Sequence, residues 1–484
     1  MKKKYGLFKN LAVLLLLVVV TTYFVEGRDG SIKYLALGDL VLNYVQSLYY
    51  FFETAIFILV VGGFYGFLNR VPAYKKLVKG SANKVSSKST LIVIIATILF
   101  AVLSSLTGFN LLMLMFVPFV VSIILLLGYD KLVALSATIG GVIVGIMGGV
   151  FLTLRDANSY ESLYITFDKF VGLDSNWVNV LPRVALLVIA TGLLVFYIIS
   201  HIKKVNKGEA KYSLTKSDSL FVEVKDRTGK AVLVDDSKVN RGPLVIALVL
   251  LVVILVLGYF PWESLFGIKC FTKFHTWLLG IKIGKYEVYS NLISPSIGAF
   301  GSWGSIGNYM MAMFMVLLFS LVIMLVYRVK FEDAMDGFVL GIKKMVPSIL
   351  VFMLAGSVLV ATYNNGFVET IITKAAELGD NVVVHSLITM LGTLLINVES
   401  QYLFNSVFTN ILTNLTDSAN LSIYSVMFQS VYGLVQVIAP TSVLLIVGLS
   451  YLDVPYKTWL KYIWRFVIEL IIVVLLVLMV VSLI

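Results

Sequence analysis

Residues 423–450 read IYSVMFQSVYGLVQVIAPTSVLLIVGLS, an apolar stretch interrupted by Pro440, Thr441 and Ser442. About 18 consecutive apolar residues suffice to cross a bilayer as a helix, so the length predicts a membrane span. Proline removes a backbone donor and clashes with the preceding turn, so the same stretch predicts a span broken part-way along. Lipid cannot satisfy the peptide groups that such a break exposes. They must line a wet cavity or bind something.

The rest of the chain agrees with a lipid solvent. It has 484 residues, 59% hydrophobic and 13% charged, whereas single water-soluble cores stop growing at about 250 to 300 residues. Leu11–Phe24, Leu244–Phe260 and Val467–Ile484 are further span-like runs. The alternating ten-residue segments of an outer-membrane barrel are missing. The formal net charge of +11 lies in loops and reads as a topology signal, so no nucleic-acid partner is expected. Cys270, the single cysteine, makes no intrachain disulfide and joins no ligand cluster, and neither a metal nor another cofactor is expected. Lys2, Lys3 and Lys4 precede an apolar run that no Ala-x-Ala-like site follows, which favours an uncleaved first span over a signal peptide.

Hydrophobic runs predict spans near 8–25, 45–68, 131–154, 179–201, 243–262, 305–327, 346–363, 423–450 and 457–484. Two more apolar stretches, 91–128 and 384–415, are interrupted halfway by polar residues. Each is either a helical hairpin dipping into the membrane or a pair of full spans, and each returns the chain to the side it came from. Lys and Arg gather in the N-terminus, Arg70–Lys88, Lys203–Arg241, Arg328–Lys344 and the approach to the last span. Cytoplasmic loops carry that excess, so the expectation is an inner-membrane protein with a cytoplasmic N-terminus. The basic loop 263–303 fits its exterior assignment least well.

The halves share an order of features. A span closing with Gly62, Gly63, Gly66 and Asn69 precedes an interrupted stretch and a Gly-rich span. A span closing with Asn364, Asn365 and Gly366 precedes the second interrupted stretch and the span broken at Pro440. The basic-residue count makes the copies run in opposite directions. The expected fold is therefore an all-α polytopic membrane protein, an inverted repeat with two re-entrant helical hairpins and broken helices. Its parts are a first span and exterior loop (1–44), a first repeat (45–201), a cytoplasmic linker (202–242), connecting spans (243–327) and a second, inverted repeat (328–484). Within the linker, Leu220–Val224 and Ala231–Val234 suggest a β-hairpin, though a solvated linker accounts for them as well. Inverted repeats with interrupted helices mark many secondary transporters, which bind their substrate near the midplane.

Two polar clusters occupy the interruptions. Ser104, Ser105, Thr107 and Asn110 form one, and Asn397, Glu399, Ser400 and Gln401 the other, with Gln436, Thr441 and Ser442 at the break. These are the candidate substrate-binding residues. The plainer reading makes them solvated loops between complete spans. Glu399 stands out because a carboxylate in an apolar stretch costs about 2.5 to 3.5 kcal/mol unless it meets water or a partner. Its charge favours a cationic or zwitterionic substrate, or a coupling Na+ or H+. Glu53, Asn69 and Asn364 are candidate coupling-ion residues, Glu53 being equally readable as a carboxylate that reaches the outer interface. Arg465 and Glu469, four apart, read as a helix-face pair. The glycines of 140–149 suit close helix packing better than direct binding.

At Gly128-Tyr129-Asp130, at Ile139-Gly140-Gly141-Val142-Ile143-Val144-Gly145, at Ala439-Pro440-Thr441-Ser442 and at Val454-Pro455-Tyr456 the chain resembles a known family. It is similar to the basic amino acid antiporters related to the anaerobic C4-dicarboxylate carriers, within the ion transporter superfamily. The resemblance implies an elevator-like or rocking transporter whose hairpins and broken helices enclose the substrate. It places Thr441 and Ser442 at the second broken helix and Asn397 at the mouth of the second hairpin. Where that family carries a Pro-Ser-Gly-Ser-Gly-like run, this chain has Val398-Glu399-Ser400-Gln401-Tyr402, so substrate identity is not carried across.

An intramembrane aspartyl protease would need paired aspartates inside adjacent spans, but Asp130 and Asp380 sit at span ends. No His-Glu-x-x-His helix or Gly-Lys-Ser phosphate loop is present, which argues against metalloprotease or ATP-driven chemistry. The chain is not read as an enzyme. The expectation is a secondary transporter of small organic ions, by exchange or ion coupling, with amino acids, basic ones included, ahead of C4-dicarboxylates and a channel as the rival class. Its partners would be a small-molecule substrate, the lipid bilayer and, by analogy with relatives, a second copy in a homodimer.

Overall fold

Each long apolar run becomes a helix because lipid leaves the backbone only its own carbonyls as partners. The computed structural model describes residues 6–482 apart from 26–31, 150, 156–161, 167–176, 213, 215–238, 261, 296, 302, 304–308, 369, 371–381 and 399–417. The first half holds α1 (Gly6–Val25), α2 (Leu37–Tyr50), α3 (Phe52–Leu68), α4 (Pro72–Val85), α5 (Ser89–Thr107), α6 (Val117–Leu126), α7 (Lys131–Leu135), α8 (Gly141–Met147) and α9 (Trp177–Asn206). The second holds α10 (Gly242–Tyr259), α11 (Met310–Val326), α12 (Phe331–Asn364), α13 (Val382–Ile396), α14 (Ser418–Gln436), α15 (Val443–Tyr451) and α16 (Tyr456–Ser482). Among the described residues, six helices are long and apolar enough to cross a membrane, and a bent pair makes a seventh. The protein is an all-α polytopic membrane protein.

Four outlines differ from the sequence reading. The expected span 45–68 is that bent pair, α2 and α3 meeting at 65°, with Phe51 wedged against Phe352 (ring centroids 5.6 Å apart). The expected loops Arg70–Lys88 and Arg328–Lys344 are largely helical, as α4 and the first half of α12. Charges on one side of a helix had imitated loops. The expected span 131–154 stops at Met147, and Phe151–Arg155 pairs antiparallel with Ser162–Thr166. Inside that span, Ser136–Gly140 forms a π-helical turn between α7 and α8, the kind of bulge that often marks a functional site. The suggested hairpin of the linker lies outside the described residues.

The inversion is visible in the packing. Helices α3 and α12 run antiparallel, Ser47 Oγ donating to Met353 O (2.8 Å) at one end while Gly66 faces Gly337 near the other. A Cβ on Gly341 would lie 2.0 Å from Gly62 O, and one on Gly66 would lie 2.2 Å from Gly337 O, so the backbones touch. The α7–α8 run crosses α14–α15 with the same opposition. Gly448 meets Ile139, Gly433 meets Met147, and Gln429 Nε2 donates to Ile146 O (2.6 Å).

Within each copy the first hairpin limb runs parallel to the broken helix. Helix α5 follows α8, with Gly141 against Thr97 O, Gly145 against Ala101 O, and Ser105 Oγ donating to Gly148 O (2.8 Å). Helix α13 follows α14 and α15, His385 Nδ1 meeting the Tyr424 hydroxyl and Thr441 Oγ1 donating to Leu394 O (3.0 Å). Gly108, at φ +63°, ends α5 and turns the chain back. The Tyr129 hydroxyl donates to Ser89 Oγ (2.9 Å) and lies 2.8 Å from Thr90 Oγ1, so 91–128 is a hairpin whose two ends are stapled together. The second hairpin is described along α13 as far as Val398, its return limb lying outside the described residues.

Candidate substrate site

The second broken helix is held open by the last helix. Between α14 and α15, Val437 O accepts from Trp459 Nε1 (2.8 Å) and Ile438 O from the Tyr456 hydroxyl (2.5 Å). These side chains replace the helical donors that Pro440 and the break remove. On the other side of the break Ser442 Oγ caps α15, accepting from Leu445 N (3.4 Å). The amides of the first turn are donors that a helix leaves unused, and its aligned peptides place partial positive charge there. The arrangement suits an anion.

The second hairpin reaches this point. Thr441 Oγ1 accepts from the Asn397 amide (3.2 Å) while donating to Leu394 O, which fastens the end of α13 to the break. The Asn397 side chain is 1% exposed, and neither its Nδ2 nor its Oδ1 has a hydrogen-bond partner. Gln436 Oε1, also buried, has none. A buried polar group left unsatisfied costs about 1 to 3 kcal/mol, so such a pair of atoms beside a helix N-terminus is the mark of a place meant to be filled. Glu399, Ser400 and Gln401 follow directly and lie outside the described residues.

The first hairpin tip is built differently. Ser104 Oγ donates to Asn110 Oδ1 (2.6 Å) and sits 2.8 Å from Val142 O. Ser105 bonds Gly148 O, and Thr107 Oγ1 bonds Leu103 O (2.6 Å). These hydroxyls therefore bind the hairpin to α8 and finish α5. Beside them stands a side chain that the sequence reading missed. Arg183 of α9 is fully buried, and its Nη2 donates to Ser425 Oγ of α14 (2.7 Å). Its carbonyl lies against Gly148, where a Cβ would come within 2.7 Å. The clue was an arginine after Pro182 inside an apolar run, too near the expected span end to look intramembrane.

Over residues 45–483 the chain matches the family model of the C4-dicarboxylate anaerobic carriers (DcuC). The chain belongs to that family. It is a membrane transporter. Among solved structures it is similar to the YdaH transporter of Alcanivorax borkumensis, described as having an unusual topology, at 12% identity and a TM-score of 0.38, over 97% of each chain. No curated protein matches it.

In this carrier the three residues expected to hold a coupling ion do not meet. Glu53 and Asn69 sit at opposite ends of α3, about 24 Å apart along the helix. Glu53 Oε1 accepts from Tyr309 N (2.9 Å) at the start of α11, where a carboxylate complements the helix dipole. Asn69 ends α3, its amide donating to Tyr65 O (3.0 Å). Asn364 is exposed, its Nδ2 3.5 Å from Gln46 Oε1. The carrier does contain a buried ionisable pair, His201 Nε2 with Asp130 Oδ2 at 3.0 Å, and Asp130 also caps α7 through Val133 N (2.9 Å). Arg465 lies over the Trp464 ring (5.3 Å) rather than against Glu469. Among the described residues no three His, Cys, Asp or Glu side chains gather as metal ligands.

Proposed function

We propose that this carrier moves C4-dicarboxylates by secondary active transport across the cytoplasmic membrane, with its N-terminus in the cytoplasm. The observation that carries the reading is the unpartnered Asn397 side chain beside the N-terminus of α15. One substrate carboxylate accepts from the Asn397 amide and the first-turn amides of α15, with Thr441 holding the hairpin in place. Arg183 adds a positive charge beside the first hairpin, which suits a dianion and opposes a basic amino acid. Family membership supports the same substrate class, so dicarboxylates replace the amino acids first expected.

The test is uptake into proteoliposomes of radiolabelled succinate and fumarate beside arginine, ornithine and neutral amino acids. Saturable succinate uptake, accelerated by unlabelled succinate inside, is the expected result. Arginine counterflow with no succinate uptake would return the reading to amino acids. Conductance without acceleration from the far side would make the protein a pore.

A further inference from the structure

From Arg70 to Lys88 the chain carries six cations and no carboxylate. On α4, Lys76, Lys79, Gly80 and Asn83 fall at i, i+3, i+4 and i+7, one stripe of the helix. That stripe faces Val239, Asn240 and Arg241, just before α10, across a cleft of about 540 Å³. Lys76 Nζ donates to Val239 O (2.9 Å), closing one wall. A Cβ on Gly80 would lie 2.6 Å from Arg241 Nη1, so the guanidinium rests on bare backbone in the cleft.

The neighbouring stripe of the same helix lines a second cavity of different character. Tyr74 and Leu77 of α4, Phe119 of α6, and Leu248, Val252 and Leu255 of α10 surround an apolar space of about 370 Å³. Helix α10 thus carries a cation at its start and an apolar channel along its length. From Arg241 to Leu255 is about 21 Å of helix, enough to pass a hydrocarbon leaflet of about 15 Å.

We propose that the cleft between α4 and α10 binds one anionic phospholipid, its phosphate on Lys79 and Arg241 and an acyl chain in the groove along α10. The order of chemistry decides the occupant. Free phosphate would use the cationic cleft alone, and a zwitterionic lipid would gain little from a cleft whose charged side chains are all cations. Arginine grips phosphate through two parallel donors, and basic pockets at helix ends on the basic-loop side of a membrane protein suit lipid headgroups. The inference is independent of the transported substrate.

The experiment is native mass spectrometry of the delipidated full-length protein, titrated with phosphatidylglycerol or phosphatidylcholine. One phosphatidylglycerol should bind ahead of phosphatidylcholine, and millimolar inorganic phosphate should not displace it. Each cation near an anionic surface is worth about fivefold, so Lys79→Gln with Arg241→Gln should weaken binding about 25-fold. Leu248→Trp, which fills the groove and leaves the cations in place, should also release the lipid. Equal binding of both lipids, displacement by phosphate, or retention by Leu248→Trp would each overturn the proposal. The headgroup comparison uses the unaltered protein, so it decides even if a variant fails to fold.

Discussion

Replacing Gly341 by alanine should destabilise the carrier, although the same change inside an exposed helix is normally favourable. Alanine gains about 1 kcal/mol of helix propensity over glycine. At Gly341 the new Cβ would sit 2.0 Å from Gly62 O, where real Cβ atoms keep at least 3.0 Å, and the obstacle is backbone that cannot rotate aside. Helices α3 and α12 must therefore part by about 1 Å. The separation also loosens Gly66 from Gly337, whose contact depends on the same approach. Overpacking of this kind costs about 1 to 3 kcal/mol, and with backbone on both sides the upper figure applies. The net loss is about 2 kcal/mol after the propensity gain. Gly192 supplies the control, since it lies on α9 with nothing within 4 Å of its added Cβ. Gly192→Ala should stabilise by up to about 1 kcal/mol. Thermal unfolding in detergent followed by size-exclusion chromatography, with initial uptake rates in proteoliposomes, measures both variants. If Gly341→Ala unfolds at or above the wild-type temperature and transports normally, the backbone contact between the copies does not have the importance assigned to it.

Three further outcomes follow from the site. Asn397→Ala should raise the KM for succinate about tenfold, one lost hydrogen bond to a charged group, without lowering the stability of the empty protein, because the side chain it removes has no partner there. Ser425→Ala removes the acceptor of Arg183 and should cost about 1.5 to 3 kcal/mol in thermal unfolding, with succinate uptake reduced. Glu399→Gln should leave succinate uptake intact, and abolition of that uptake would put a carboxylate back at the heart of recognition.

Hydropathy alone revealed the helices, the hairpin of 91–128 and the break at Pro440, because each rests on local chemistry: apolar length, a left-handed Gly108, a missing proline donor. The bend at Phe51 was hidden, since no proline or glycine marks it and its cause is Phe352, some 300 residues away. Gly62, Gly63 and Gly66 read as the close of a span, whereas their use is to admit the backbone of α12, a tertiary fact. Ser104, Ser105 and Thr107 were expected to face substrate and are found bonded to carbonyls. Composition does not distinguish a hydroxyl that waits for a solute from one that closes a helix. Arg183 was overlooked for the converse reason, a charge near a span end being ordinary unless its burial is known.

Trp459 donates its indole N–H straight into the broken helix, at a carbonyl one turn from Gln436 and the Asn397 tip. The carrier therefore has a built-in optical probe. A solute that shifts the break alters the field and hydrogen bond of one buried indole, so emission from this tryptophan, isolated by replacing the other five, would follow loading and unloading in real time without any attached dye.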